Sequence, residues 1–188
     1  MGVIPGLVIG FVVAGVLIYV VMIYNGLIAM RNDIDKSWAN IDVLLKQRHD
    51  ELPRLVDVCK GYMQYERETL QSLIQARSLY ASATTVGQKV QASNDLTASV
   101  GRVFAVAENY PALKANQSFL EIQKRISELE SQIADRREFY NDSINLFNTR
   151  LQQVPDTYVA SMSSIRPRPM FVVSSVDKAP VQVALNTR

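Results

Sequence analysis

From Val3 to Met30 the chain carries no charged side chain over 28 consecutive positions, and no other feature constrains its fold as strongly. The middle of the run, Leu7 to Ile23, is Val, Ile, Leu, Phe, Met and Tyr with Gly10, Ala14 and Gly15 among them. A bilayer core takes about 20 apolar residues in a helix, each adding roughly 1.5 Å, so this run is long enough to cross with some tilt. Pro5 fits a first helical turn, where a missing N–H costs nothing, and Tyr19 and Tyr24 suit an interface. A core helix of a soluble protein seldom stays uncharged for so long. A cleaved signal peptide would show Lys or Arg ahead of a shorter run and a small-residue cleavage site behind it. A myristoylation signal would need Ser or Thr where Gly6 stands. The sequence therefore predicts an uncleaved anchor over residues 1–30, with Leu7, Ile9, Phe11, Val13, Leu17, Val20 and Ile23 in its apolar body.

Orientation follows from the flanks. Arg31, Lys36, Lys46 and Arg48 come within about 20 residues of the run, no Lys or Arg precedes it, and the positive-inside rule counts only these. That predicts a single pass through the inner membrane, with the N-terminus outside and residues 31–188, a helical bundle over 31–165 and its tail, in the cytoplasm. The one cysteine, Cys59, fits a reducing compartment.

Beyond the anchor, 158 of the 188 residues remain, enough for one core. Twenty basic against 18 acidic side chains give a net charge of +2, which offers nothing for nucleic acid. Gly and Pro are scarce between residues 27 and 154, as in helices. The apolar positions Ile34, Trp38, Ile41, Leu45, Leu52, Leu55, Cys59, Tyr62, Leu70, Leu73 and Tyr80 alternate three and four apart, the mark of an amphipathic helix. Arg48 falls among the balanced charges read as its solvated face. This helix is expected to continue the anchor, bent or broken only at Pro53, which removes the bond to the His49 carbonyl. Residues 81–88 read as a connection and 89–108 as a second helix. A third carries Phe119, Ile122, Ile126, Leu129, Ile133, Tyr140, Ile144, Phe147 and Leu151. Its stripe is heptad-like, as in a coiled coil, to residue 133 and then drifts, which suits a bundle. A short fourth helix starts near Pro155. The Pro- and Arg-containing tail, 166–188, reads as extended or disordered, with Phe171–Val173 forming a short strand or packing on the bundle.

No catalytic kit is visible. The single His49 and the single Cys59 stand ten residues apart, about 15 Å along one helix, too far for a dyad. A bundle metal site built from Glu-x-x-His pairs needs more than one His. Carboxylate pairs such as Glu66 with Glu68, or Glu128 with Glu130, are two apart and point to different faces. No phosphate-binding glycine loop occurs. No catalytic, cofactor or metal residue is assigned.

Several stretches together resemble the LemA family of bacterial membrane-anchored proteins. They are Tyr24-Asn25 with Arg31-Asn32, Trp38 leading into Ile41-Asp42-Val43-Leu44-Leu45-Lys46-Gln47-Arg48, Leu52-Pro53 with Leu55-Val56, and Lys60-Gly61-Tyr62 with Glu66. Gly101-Arg102, Glu108-Asn109-Tyr110-Pro111, Leu113-Lys114-Ala115-Asn116, Tyr140-Asn141 and Phe147-Asn148 follow. The chain departs at Met63–Tyr65, where a His before Glu66 is usual, and at Ala112, where an acid is common. The resemblance implies an up-and-down helical bundle behind one anchor, three long helices plus a short fourth, with no established enzymatic activity. It marks Trp38, Ile41, Asp42, Leu45, Lys46, Pro53, Tyr62, Asn109, Tyr110, Pro111, Asn116, Tyr140 and Asn141 as core or interface. A magnetosome-associated branch links the family to membrane remodelling.

Two functions follow as expectations. One is a non-enzymatic scaffold that homo-oligomerises and organises or shapes the membrane lipid around it. The other is a regulatory adaptor for a membrane protein partner such as a protease. Trp38, Ile41, Leu45, Leu55 and Tyr62 are expected to be mostly buried. A first helix reaching Tyr80 would outrun its neighbours and leave the stripe from Ile34 to Leu45 open for other copies. Gly6, Gly10 and Ala14 would let their anchors approach.

Overall fold

The computed structural model describes residues 3–171, so the tail from 172 onward, with most of the expected strand, lies outside the described residues. Among the described residues there are six helices and no strand: α1 (Val3–Lys60), α2 (Arg67–Ser82), α3 (Val86–Ala107), α4 (Pro111–Lys114), α5 (Gln117–Arg150) and α6 (Asp156–Met162). The all-α architecture behind one apolar N-terminal helix is as the sequence predicts. Among the described residues α1 is the one helix long and apolar enough to cross a membrane. Its large apolar side chains from Ile4 to Met22 are exposed, a surface that water penalises and lipid does not.

The described chain divides into two compact units, residues 3–43 with 133–170, and residues 44–132 with Phe171. The second unit is an up-and-down bundle of the last turns of α1, then α2, α3 and the first half of α5. Leu52, Leu55, Cys59, Leu73, Leu96, Val103, Phe119 and Ile126 share its core, and Phe104 meets Phe119 edge to face at 6.3 Å. The chain reverses between Lys60 and Arg67, where Met63 is buried and its amide donates to the Cys59 carbonyl. α2 therefore returns along α1, bringing Tyr80 to 5.6 Å from the His49 ring. In the first unit the second half of α5 runs back along α1, with Tyr140 5.7 Å from Trp38 and Arg150 reaching the Met30 sulfur.

Four expectations are corrected. The first helix passes through Pro53 and ends at Lys60, well before Tyr80. Pro53 orphans the His49 carbonyl, and Arg77 Nε from α2 donates to it at 3.4 Å; flanking Leu52, Leu55 and Val56 are all buried. Second, α3 starts at Val86 because Thr85 and Gln88 form a reciprocal capping box. Third, a short α4 interrupts the link to α5, opened by Pro111 at its first turn. Fourth, the stripe from Ile34 to Leu45 is closed: Ile34, Ile41 and Leu45 are buried. α1 beyond the anchor is shorter than the sequence reading allowed, and α5, at 34 residues, is long enough to pair with it.

Candidate functional site

The first unit is built where α1, α5, α6 and the extended residues after α6 meet. Six of the anchor residues, Leu7, Ile9, Phe11, Val13, Leu17 and Val20, are exposed, whereas Ile23 is buried and Leu27 fully so. Protein therefore closes around α1 before its apolar run ends. At that level a Cβ on Gly26 would stand 3.3 Å from Arg150 Nη2, and Arg150 Nε pairs with Asp156 Oδ2 at 3.2 Å. α6 ends with Ser164 at a φ of 53° and the Ile165 amide donating to the Ala160 carbonyl, a Schellman stop with Ser where Gly is usual. The chain then straightens and Asn148 clasps it. Its amide donates to the Arg168 carbonyl, and its side-chain oxygen accepts from the Arg168 amide, both at 2.9 Å. Arg168 so held pairs with Asp35 at 3.1 Å. Burial raises the Tyr140 phenol above its ordinary pKa; neighbouring Arg168 opposes that shift and Asp35 adds to it.

Beside this cluster lies a groove of about 400 Å³ between α1 and α5. Ser37 and Asn40 line its α1 side, Phe139, Ser143 and Leu146 its α5 side. Phe139 is 59% exposed and Leu146 64%; seven residues apart, they lie on one face of α5.

The second unit holds a charge that sequence reasoning misplaced. Arg48 is on no solvated face: it is fully buried. One guanidinium nitrogen meets Glu130 Oε1 at 2.5 Å and Thr97 Oγ1 at 2.7 Å. The other donates to Ser93 Oγ at 2.9 Å. α1, α3 and α5 are thus joined by one planar cation. The signal was available, since Arg48 stands in heptad register with Ile34, Ile41 and Leu55, all buried.

The family-motif residues are placed unevenly. Ile41, Leu45, Leu55 and Tyr140 are buried as expected. Trp38 is half-buried, because Ser37 takes the inward position beside it. Tyr62 is 38% exposed, a correction: it sits in the reversal after Lys60, where Met63 turns inward instead. Its hydroxyl accepts from Asn116 Nδ2 at 3.1 Å, while Asn116 Oδ1 caps α5 at the Phe119 amide. Tyr110 donates to Glu66 across the same end. Asp42, Pro53 and Asn141 are half-buried; Lys46, Asn109 and Pro111 are exposed.

His49 and Cys59 stay apart on one continuous helix. Burial pushes the Cys59 thiol up to about 11, the reverse of what a nucleophile needs. Among the described residues no three His, Cys, Asp or Glu side chains come together to hold a metal ion.

Comparison with known proteins matches residues 37–185 to the LemA family model. Protein LemA of Metamycoplasma hominis is 25% identical over 85% of this chain and 74% of its own length. Magnetosome protein MamQ 2 of Paramagnetospirillum magneticum is 20% identical over 85% of this chain and 68% of its own. Magnetosome protein MamQ of Magnetospirillum gryphiswaldense is 19% identical, over 77% and 63%.

Proposed function

The chain belongs to the LemA family, and from that premise we propose that it is a non-enzymatic, membrane-anchored scaffold whose copies associate side by side and so organise or shape the bilayer. The groove of about 400 Å³ flanked by exposed Phe139 and Leu146 carries this reading. It replaces the stripe from Ile34 to Leu45, which the fold has closed. A second copy is the proposed occupant, because an anchor concentrates identical chains in one plane and most oligomers are homo-oligomers. The open surface at Gly6 and Gly10, where an added Cβ meets nothing within 4 Å, would let anchors draw together. Relatives named as magnetosome proteins fit a membrane role.

The proposed location is the inner membrane, with the N-terminus outside. A Val3→Cys variant should then label from outside intact cells and Asn186→Cys should not; reversed labelling contradicts it. For assembly, single cysteines replacing Asn40 and Phe139 in a Cys59→Ala background should crosslink to a second copy in native membranes. Adducts only to a different protein would favour the adaptor reading, in which the same groove receives a membrane enzyme.

A further inference from the structure

α6 has a buried face and an exposed apolar one. Asp156, Val159 and Ala160 point inward. Val154, just ahead of the helix, and Tyr158 and Met162 within it are 73%, 65% and 85% exposed. Tyr158 and Met162, four residues apart within the helix, share one face, and Val154 precedes them beyond the bond to Pro155. Such a row on a soluble surface would be unusual, but its position along α1 supplies an occupant. Arg150 ties the start of α6, at Asp156, to Gly26 and Met30. The exposed apolar part of α1, Ile4 to Met22, spans 19 residues, about 28 Å, which nearly fills a hydrocarbon core of about 30 Å. Sliding the chain deeper would carry the Arg150–Asp156 pair into hydrocarbon, where paired charges are costly. The bilayer surface on this reading falls near Ile23, and the start of α6, tied by Arg150 to Gly26, comes within a turn of it.

Basic side chains stand in the same place. Arg31, Arg166 and Arg168 line a cavity of about 370 Å³ with Phe147, Ser164, Ile165 and Pro167. Arg31 and Arg166 are exposed, and Arg31 stands seven residues past Tyr24, about 10 Å along the helix, within reach of the phosphate layer for a long side chain.

We propose that α6 and the segment behind it form a second membrane contact. Val154, Tyr158 and Met162 seat in the interface of the bilayer that α1 crosses, and Arg31 and Arg166 take phosphates of its lipid headgroups. The contact rests on the anchor reading. It would fix the tilt and rotation of the first unit, which one crossing helix leaves free, and favour an anionic leaflet.

The test uses the full chain with Cys59→Ala and single cysteines replacing Leu17, Tyr158, Met162 or Leu120. Each carries a nitrobenzoxadiazole dye in vesicles of phosphatidylcholine and phosphatidylglycerol in equal parts. A spin label near the headgroup end of the acyl chain should quench the dyes at 158 and 162 at least half as strongly as the dye at 17. The dye at 120 should respond only to aqueous iodide. Adding Arg31→Gln and Arg166→Gln should lower lipid quenching at 158 and 162, while soluble glycerol phosphate should leave it unchanged. If 17 is quenched and 158 and 162 behave like 120, or are shielded from lipid and iodide alike by protein, the second contact is overturned and the anchor stands. If 17 is not quenched, the anchor itself fails. Unchanged quenching in the arginine variant, or competition by glycerol phosphate, overturns the headgroup contact.

Discussion

Arg48 takes a core position of α1 because Glu130, Thr97 and Ser93 together pair both terminal guanidinium nitrogens, leaving Nε alone without a partner among the described residues. Removing a partner is costlier than removing the pair, since a buried cation left alone keeps its whole desolvation penalty. Glu130 is about one-quarter exposed at its side chain, which softens the loss. Glu130→Ala should therefore cost about 2–4 kcal/mol in unfolding of the detergent-solubilised chain, whereas Arg48→Met with Glu130→Leu should come close to neutral. A pair costing as much as the single change would contradict this. Ser164 is the other residue set against its chemistry. Its φ of 53° is one that glycine adopts freely, so Ser164→Gly should stabilise the chain by about 0.5–1 kcal/mol. A loss of stability on the same measurement would mean that the serine side chain holds the turn.

Among the elements, α1 owes its continuity to α2. Arg77 takes the carbonyl that Pro53 leaves without a partner, so the two residues should be coupled. Arg77→Ala should destabilise the native chain by about 1–2 kcal/mol and do much less once Pro53→Ala has restored the helix bond, a difference that a double-mutant cycle reads directly. Additive effects would show that Arg77 does nothing for the proline. Cys59, the last residue but one of α1, gives a pH signature. Its folded pKa, about 11, lies above the ordinary 9.0, so its contribution is complete below pH 9 and is lost as pH rises toward 11. Denaturation should show up to about 3 kcal/mol of that loss in the native chain and not in Cys59→Ala.

These elements also show where the sequence was legible. Apolar stripes were: the nine positions from Phe119 to Leu151, eight on α5 and Leu151 just past its end, are all buried, because three-four spacing reports directly which face turns inward. Partners far apart in sequence were not. Pro53 reads as a break until Arg77 is seen beside it, and Arg48 reads as a surface charge until Glu130, 82 residues away, is brought to it. The reversal at Gly61–Glu66 carries no proline, and its cue was the register of Met63 against Tyr62. The candidate groove was not legible in the sequence, because the exposure of Phe139 and Leu146 depended on which turn of α5 faces α1.

In the whole molecule as proposed, the anchor would confine the chain to a plane and the groove beside Phe139 and Leu146 would offer a contact within it. Both features are needed for a scaffold: a soluble chain would have to bind its own copies from bulk solution, and an anchored chain without a lateral surface would stay dispersed. The exposed anchor is itself insufficient, since lipid covers it equally well in a monomer. Lateral self-association is read from the mass of the particle taken out of native membranes with its surrounding lipid, by light scattering with the lipid subtracted. The protein mass should be a multiple of the 21.1 kDa chain, and should return to that single-chain mass on Phe139→Glu with Leu146→Glu. A native particle of 21.1 kDa, or one holding a single copy beside a different protein, would contradict it.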